Sequence, residues 1–139
     1  MILPKVGIIA CSGIDLPEGT VTRLAALKVL DDLRPKQTVT ICLPLFLAGG
    51  KEDREFVKNH PTIVVDGCDK RCGERSVKQL QGKLVASTLV PDLIEESGLR
   101  PKSADEIGEP GDKLVQLLAK RIVDEVDRVF EGMKKKKLK

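Results

Sequence analysis

Short β-branched apolar runs recur along this chain, each followed by a segment with helical spacing, and that alternation constrains the fold more than any other feature. Val6-Gly7-Ile8-Ile9-Ala10 is a continuous apolar run of strand length, the pattern of a strand covered on both faces. Across residues 20–33, Val21, Leu24, Ala25, Leu27 and Leu30 fall at helical intervals, and Arg34-Pro35 closes the segment. Residues 38–43 return to β-branched composition, and Pro44 limits their extension as a central strand. Residues 51–59 read as a short polar helix anchored by Phe56 and Val57, and residues 62–66 as a third strand. A helix is expected from Cys72 toward Gly82, then a fourth strand over residues 83–90. A turn or two of helix follows Pro91 and stops at Ser97-Gly98, residues 101–111 read as a surface loop, and residues 112–133 form a long amphipathic helix.

Strands alternating with helices at this spacing imply parallel pairing through right-handed crossovers. The expected fold is therefore α/β: a single domain with an open, mostly parallel four-stranded sheet and helices on both faces, Rossmann-like. The strand order 2-1-3-4 is favoured because a first strand between the second and third brings the ends of those three strands closest together. A chain of 139 residues can bury a core of its own without disulfides. Residues 1–133 are assigned to this domain and residues 134–139 to a basic tail.

Charge and composition narrow the partners. Five lysines, Lys134 to Lys137 and Lys139, carry the positive excess; without them the formal charge falls from +3 to −2. The body is slightly acidic, and with only Phe46, Phe56 and Phe130 as aromatics it has little from which to build stacking platforms for bases. No nucleic-acid partner is expected, and the tail reads as a solvated, frayed end. All apolar runs are shorter than the roughly 18 residues of a membrane span, and no membrane association is expected. The first residues show no basic segment followed by an apolar stretch. A cytoplasmic location with reduced thiols is the expectation.

Cys11, Cys42, Cys68 and Cys72 are the chemically distinctive residues. Cys11 follows the first strand, Cys42 lies near the end of the second, and Cys68 stands two residues past the third. Open parallel sheets place their sites at the carboxyl ends of their strands, and Cys72 can turn back to the same edge from a first helical turn. Four thiolates complete a tetrahedral zinc sphere with no open position, and the same donors can hold an iron–sulfur cluster. Lys70, Arg71 and Arg75 are placed to offset thiolate charge, Gly67 to let the backbone pass close to an ion, and Asp66 to orient a ligand or hold the turn. Cysteine is also a common packing residue, which suits Cys42 in an apolar strand and Cys11 in a tight loop. Cys68 and Cys72 sit in a polar turn with no such demand. A third possibility is an enzyme of thiol-based redox or sulfur transfer, with Cys68 or Cys72 attacking from a helix start and another cysteine resolving.

Taken together, Val65-Asp66-Gly67-Cys68-Asp69-Lys70-Arg71-Cys72, Ala10-Cys11-Ser12-Gly13, Leu43-Pro44-Leu45 and Gly49-Gly50 resemble the DGC-domain family, named for its Asp-Gly-Cys motif. Its members are small prokaryotic proteins described as zinc-binding because of four chelating cysteines. The resemblance runs from Lys5 to about Val90 and implies that Cys11, Cys42, Cys68 and Cys72 are the ligands of one zinc ion. It implies no reaction, substrate or protein partner.

Other chemistries find less support. His60 precedes the third strand, at the far end from Cys68, and about six extended residues at ~3.3 Å each span roughly 20 Å. That separation removes it as a ligand or base. Cys-x3-Cys is neither the zinc-ribbon nor the thioredoxin spacing. Arg75 lies one residue too far from Cys68 for a phosphatase loop, Gly49-Gly50-Lys51 lacks the Ser or Thr of a P-loop, and the loop after the first strand is not Gly-x-Gly-x-x-Gly.

Overall fold

A computed structural model of the chain describes residues 5–137; the initial segment behind the expectation about export, and Lys139 of the tail, lie outside the described residues. The elements run β1 (Val6–Ala10), α1 (Pro17–Lys28), β2 (Thr38–Thr40), α2 (Leu43–Leu47), α3 (Lys51–Asn59), β3 (Thr62–Asp66), α4 (Cys72–Gln79), β4 (Leu84–Leu89), α5 (Val90–Ser97) and α6 (Gly108–Lys137). A π-helical turn, Val29–Leu33, continues α1. The strands form one sheet in the order β2-β1-β3-β4, every neighbouring pair parallel. This is the α/β architecture that the alternating sequence predicts, and the strand order is the one favoured for setting the ends of the first three strands together. No helix among the described residues is long and apolar enough to cross a membrane.

The pleat of β1 and β3 divides the core into two layers, because successive side chains point to opposite faces. Val6, Ile8, Ile63 and Val65 join Val21 and Ala25 of α1, Leu93 of α5 and Leu114, Leu118 and Ile122 of α6 on one face. Ile9 and Val64 point the other way and pack with Phe46 of α2, Val57 of α3 and Val77 of α4. Both faces of the sheet are thus sealed by helices, which is why these strands read as unbroken apolar runs rather than alternating ones.

The boundaries of β2 and α6 depart most from the sequence reading, each for a local reason. The second strand is shorter than expected: after Thr40 only the Ile41 N–H continues, donating to the Ile8 carbonyl at 3.0 Å. Leu43–Leu47 then turn into a helix, with Pro44 in its first turn, where a missing N–H costs nothing, and with Leu43 and Phe46 directed into the core three residues apart. The final helix begins at Gly108, ahead of Pro110, and runs through Lys137. Lysine is a good helix former, and its charge is favourable near a helix C-terminus, so the first four tail lysines extend α6 instead of ending it.

Candidate functional site

With β1 between β2 and β3, the carboxyl ends of these strands lie side by side, and the connections leaving them form one edge of the molecule. Cys11 stands one residue past β1, where its N–H donates to the Val65 carbonyl at 3.0 Å and prolongs the β1–β3 ladder by a step. Its Sγ accepts the Gly67 N–H at 3.1 Å and lies 3.9 Å from Thr22 Oγ1. Thr22 is itself pinned: its hydroxyl donates to the Gly19 carbonyl at 2.7 Å and accepts the Ser12 N–H at 3.1 Å. The sulfur is therefore held between the start of α1 and the turn that leaves β3.

That turn is the Asp66-Gly67-Cys68 motif, and its first two residues have structural reasons to be what they are. Asp66 is 1% exposed. One carboxylate oxygen accepts the Gly73 N–H at 2.9 Å, and the other accepts the Glu74 N–H at 3.1 Å. The residue preceding α4, Arg71, is left-handed (φ 52°, ψ 48°) and offers no side-chain cap, so Asp66 satisfies the helix start from the end of β3. Burial pushes its carboxyl above the ordinary value, and the two backbone donors offset part of that rise. Gly67 packs against α1: a Cβ there would stand 3.0 Å from the Glu18 carbonyl carbon and the Gly19 nitrogen. The close approach that Gly67 permits is to a helix backbone, whereas the sequence reading assigned it to an ion.

The remaining cysteines are less constrained. Cys68 is half-buried in the turn, Cys72 is exposed as the first residue of α4, and all four cysteines are free thiols. Arg71, expected to offset thiolate charge, pairs with Glu74 at 3.3 Å, and Lys78 approaches the same carboxylate at 3.5 Å. Burial alone would raise the Glu74 carboxyl, but the Arg71 hydrogen bond and the Lys78 charge bring it below its ordinary value. Lys70 and Arg75 are exposed. Cys42 is exposed between β2 and α2 and shares with Cys11 a cleft of about 460 Å³, which Ser12, Arg23, Thr40 and Asp53 also line. His60 ends α3 and stacks on Phe56 with ring centroids 4.3 Å apart, just before β3 begins and away from this edge.

A metal ion would thus meet a donor set that suits a soft cation in kind: four reduced sulfurs distributed around one edge. The side chains as they stand do not form a coordination sphere. Among the described residues, no three His, Cys, Asp or Glu side chains are grouped so as to hold a metal ion. Cys11 and Cys42 face one cleft, Cys11 touches the backbone next to Cys68, and Cys72 is exposed at the helix start. The cleft itself, with Arg23 and Asp53 in its lining, has no counterpart in the sequence reading.

The fold and this edge define the class: a small parallel α/β protein whose cysteines lie on the segments that leave the carboxyl ends of β1, β2 and β3. The chain belongs to the DGC domain family, whose model matches residues 7–114. That span takes in the connections that leave β1, β2 and β3 and the first turns of α6. No curated protein and no solved structure matches the chain.

Proposed function

We propose that this protein binds a thiophilic metal ion, zinc in the simplest case, through Cys11, Cys42, Cys68 and Cys72. The observation that carries the reading is the Gly67 N–H donated to Cys11 Sγ at 3.1 Å. It ties the cysteine after β1 to the turn holding Cys68, residues far apart in the chain, and it orients a sulfur with a backbone donor of the kind that supports thiolate ligands. The dispersed state of the other sulfurs implies that loading rearranges the exposed Cys42 and Cys72 more than Cys11. Bound zinc would supply local order at this edge. The two core layers are complete without it, so its removal should loosen the edge and leave the domain folded. A reducing, cytoplasmic setting suits such a site, because ligands must be deprotonated, unoxidised thiols.

A second reading is favoured by one observation, the exposure of Cys72 at the first position of α4. There a thiol could exchange with a disulfide and be resolved by a neighbouring cysteine. One experiment separates the two. The protein is purified without added metal, its zinc and iron are measured by mass spectrometry, and reactive thiols are counted before and after chelation. About one equivalent of zinc with all four thiols unreactive until chelation is the expected result. A metal-free protein with one fast-reacting thiol would overturn it in favour of exchange chemistry, and a visible absorption band under anaerobic conditions would shift the ion to an iron–sulfur cluster.

A further inference from the structure

The cleft at the ends of β1 and β2 has features that coordination of a metal does not use. Its volume, about 460 Å³, falls in the range of metabolite-sized sites, and it opens at the strand edge where parallel sheets place their ligands. The walls are mainly aliphatic, with Ile8, Ala26, Leu27, Ile41 and Leu43 among them, and no aromatic ring is available to stack a base. Two charges of opposite sign line it: Arg23 from α1 and Asp53 from the first turn of α3. Among the described residues neither forms an ion pair, with the other or with any third group. An apolar cleft carrying one free cation and one free anion is matched poorly by a simple anion, which Asp53 repels, or by a simple cation, which Arg23 repels. It is matched by a molecule that carries both charges and an apolar body.

We propose that this cleft binds a small zwitterion, an α-amino acid with an aliphatic or thioether side chain, its carboxylate toward Arg23 and its ammonium toward Asp53. The proposal does not depend on the metal reading, although Cys11 and Cys42 face the same space. L-leucine and two shape analogues that each lack one charge, 4-methylpentanoate and 3-methylbutylamine, test it by calorimetric titration of the full chain as purified. Leucine should bind at least about tenfold more tightly than either analogue, since a charge-assisted hydrogen bond is worth on the order of a factor of ten. Arg23→Gln should remove the advantage over the amine, which, no longer repelled, should bind at least as well as before. Asp53→Asn should remove the advantage over the acid. Lys78→Gln, on an exposed face outside the cleft, should change nothing.

Leucine that fails to bind at millimolar concentration, an analogue that binds as well as leucine, or substitutions at Arg23 and Asp53 that leave leucine affinity intact each overturn the proposal. The zinc content of the same preparations reports separately on the cysteines. Failure of the cleft therefore leaves the metal reading standing, and loss of the metal reading leaves the cleft untouched.

Discussion

Replacing Asp66 should loosen the start of α4, and the size of the effect follows from its two contacts. Asp66→Ala strips the acceptor from the Gly73 N–H, which is buried, and from the Glu74 N–H, which is only partly so. An orphaned buried donor costs about 1–3 kcal/mol, while one that can reach water costs little. Against this stands partial relief from no longer burying a carboxyl, whose pKa burial pushes up against the opposing pull of the two N–H bonds. The net expectation is a loss of about 2 kcal/mol for Asp66→Ala and about 1 kcal/mol for Asp66→Asn, which retains one acceptor oxygen; both figures sit within the range measured for lost helix caps. The sign of the pH dependence follows as well. A carboxyl whose folded pKa lies above its unfolded one contributes stability that is fully present below the unfolded value and is lost as pH rises through the folded value. The deficit of Asp66→Ala should therefore be larger in mild acid than at neutral pH. Equilibrium urea unfolding in the presence of a chelator measures all of this on the metal-free protein. A change under about 0.5 kcal/mol for Asp66→Ala would refute the capping argument, and so would a deficit that appears only when metal is present.

Two further outcomes test other parts of the architecture. Gly19→Ala would drive a Cβ into the backbone of Gly13, where no flexible side chain can give way, and should cost about 3 kcal/mol as an overpacked contact; a thermal midpoint unchanged from the parent would show that the Cys11–Gly13 loop moves aside freely. Arg34 and Asp127 form a two-bond pair at 2.9 Å each, with side chains 33% and 44% exposed, so solvent screening limits Arg34→Gln to about 0.5–1 kcal/mol. The Arg34 hydrogen bond holds the Asp127 carboxyl below its ordinary value. Its contribution is therefore present above the unfolded carboxylate pKa and is lost as pH falls through the lowered native one. Urea midpoints of parent and variant should converge in acid, and a pH-independent gap would contradict the assignment.

Strand existence was legible because β1 and β3 are buried on both faces, which forces uninterrupted apolar runs; the order came only from a preference for the arrangement that sets the ends of the first three strands closest together, and the sheet has that order. Helix α3 was legible to the residue, since a polar run bracketed by Gly49-Gly50 and Pro61 carries Phe56 and Val57 as its apolar anchors. Helix α2 was not. Leu43-Pro44-Leu45-Phe46-Leu47 is too short for a period to show, and its proline looks the same whether it ends a strand or opens a helix. The choice is made by Phe46 filling the space beside Val57 and Val64, a tertiary contact with no local signature. The limits of α6 were misjudged at both ends for a similar reason: glycine and proline near Gly108 resemble a loop, and consecutive lysines resemble a tail, until a helix already anchored by Leu114, Leu118 and Ile122 carries through them.

The cysteines illustrate a different limit. Spacing and topology place them at one edge, but they do not decide whether the motif around them exists for the sulfurs or for the fold. In Asp66-Gly67-Cys68 the aspartate caps α4 and the glycine admits α1, so two of three positions are accounted for by packing and backbone hydrogen bonds before any ion is considered. The same turn then offers its Gly67 N–H to Cys11, so the architecture that requires Asp and Gly also delivers a donor to the first sulfur. A substitution at Asp66 or Gly67 that lowers metal content would consequently be ambiguous, since it disturbs the scaffold as well. Cys42 and Cys72 are exposed and carry no such structural duty. Serine at either position should leave the metal-free fold intact, and a loss of bound zinc there reports on coordination alone.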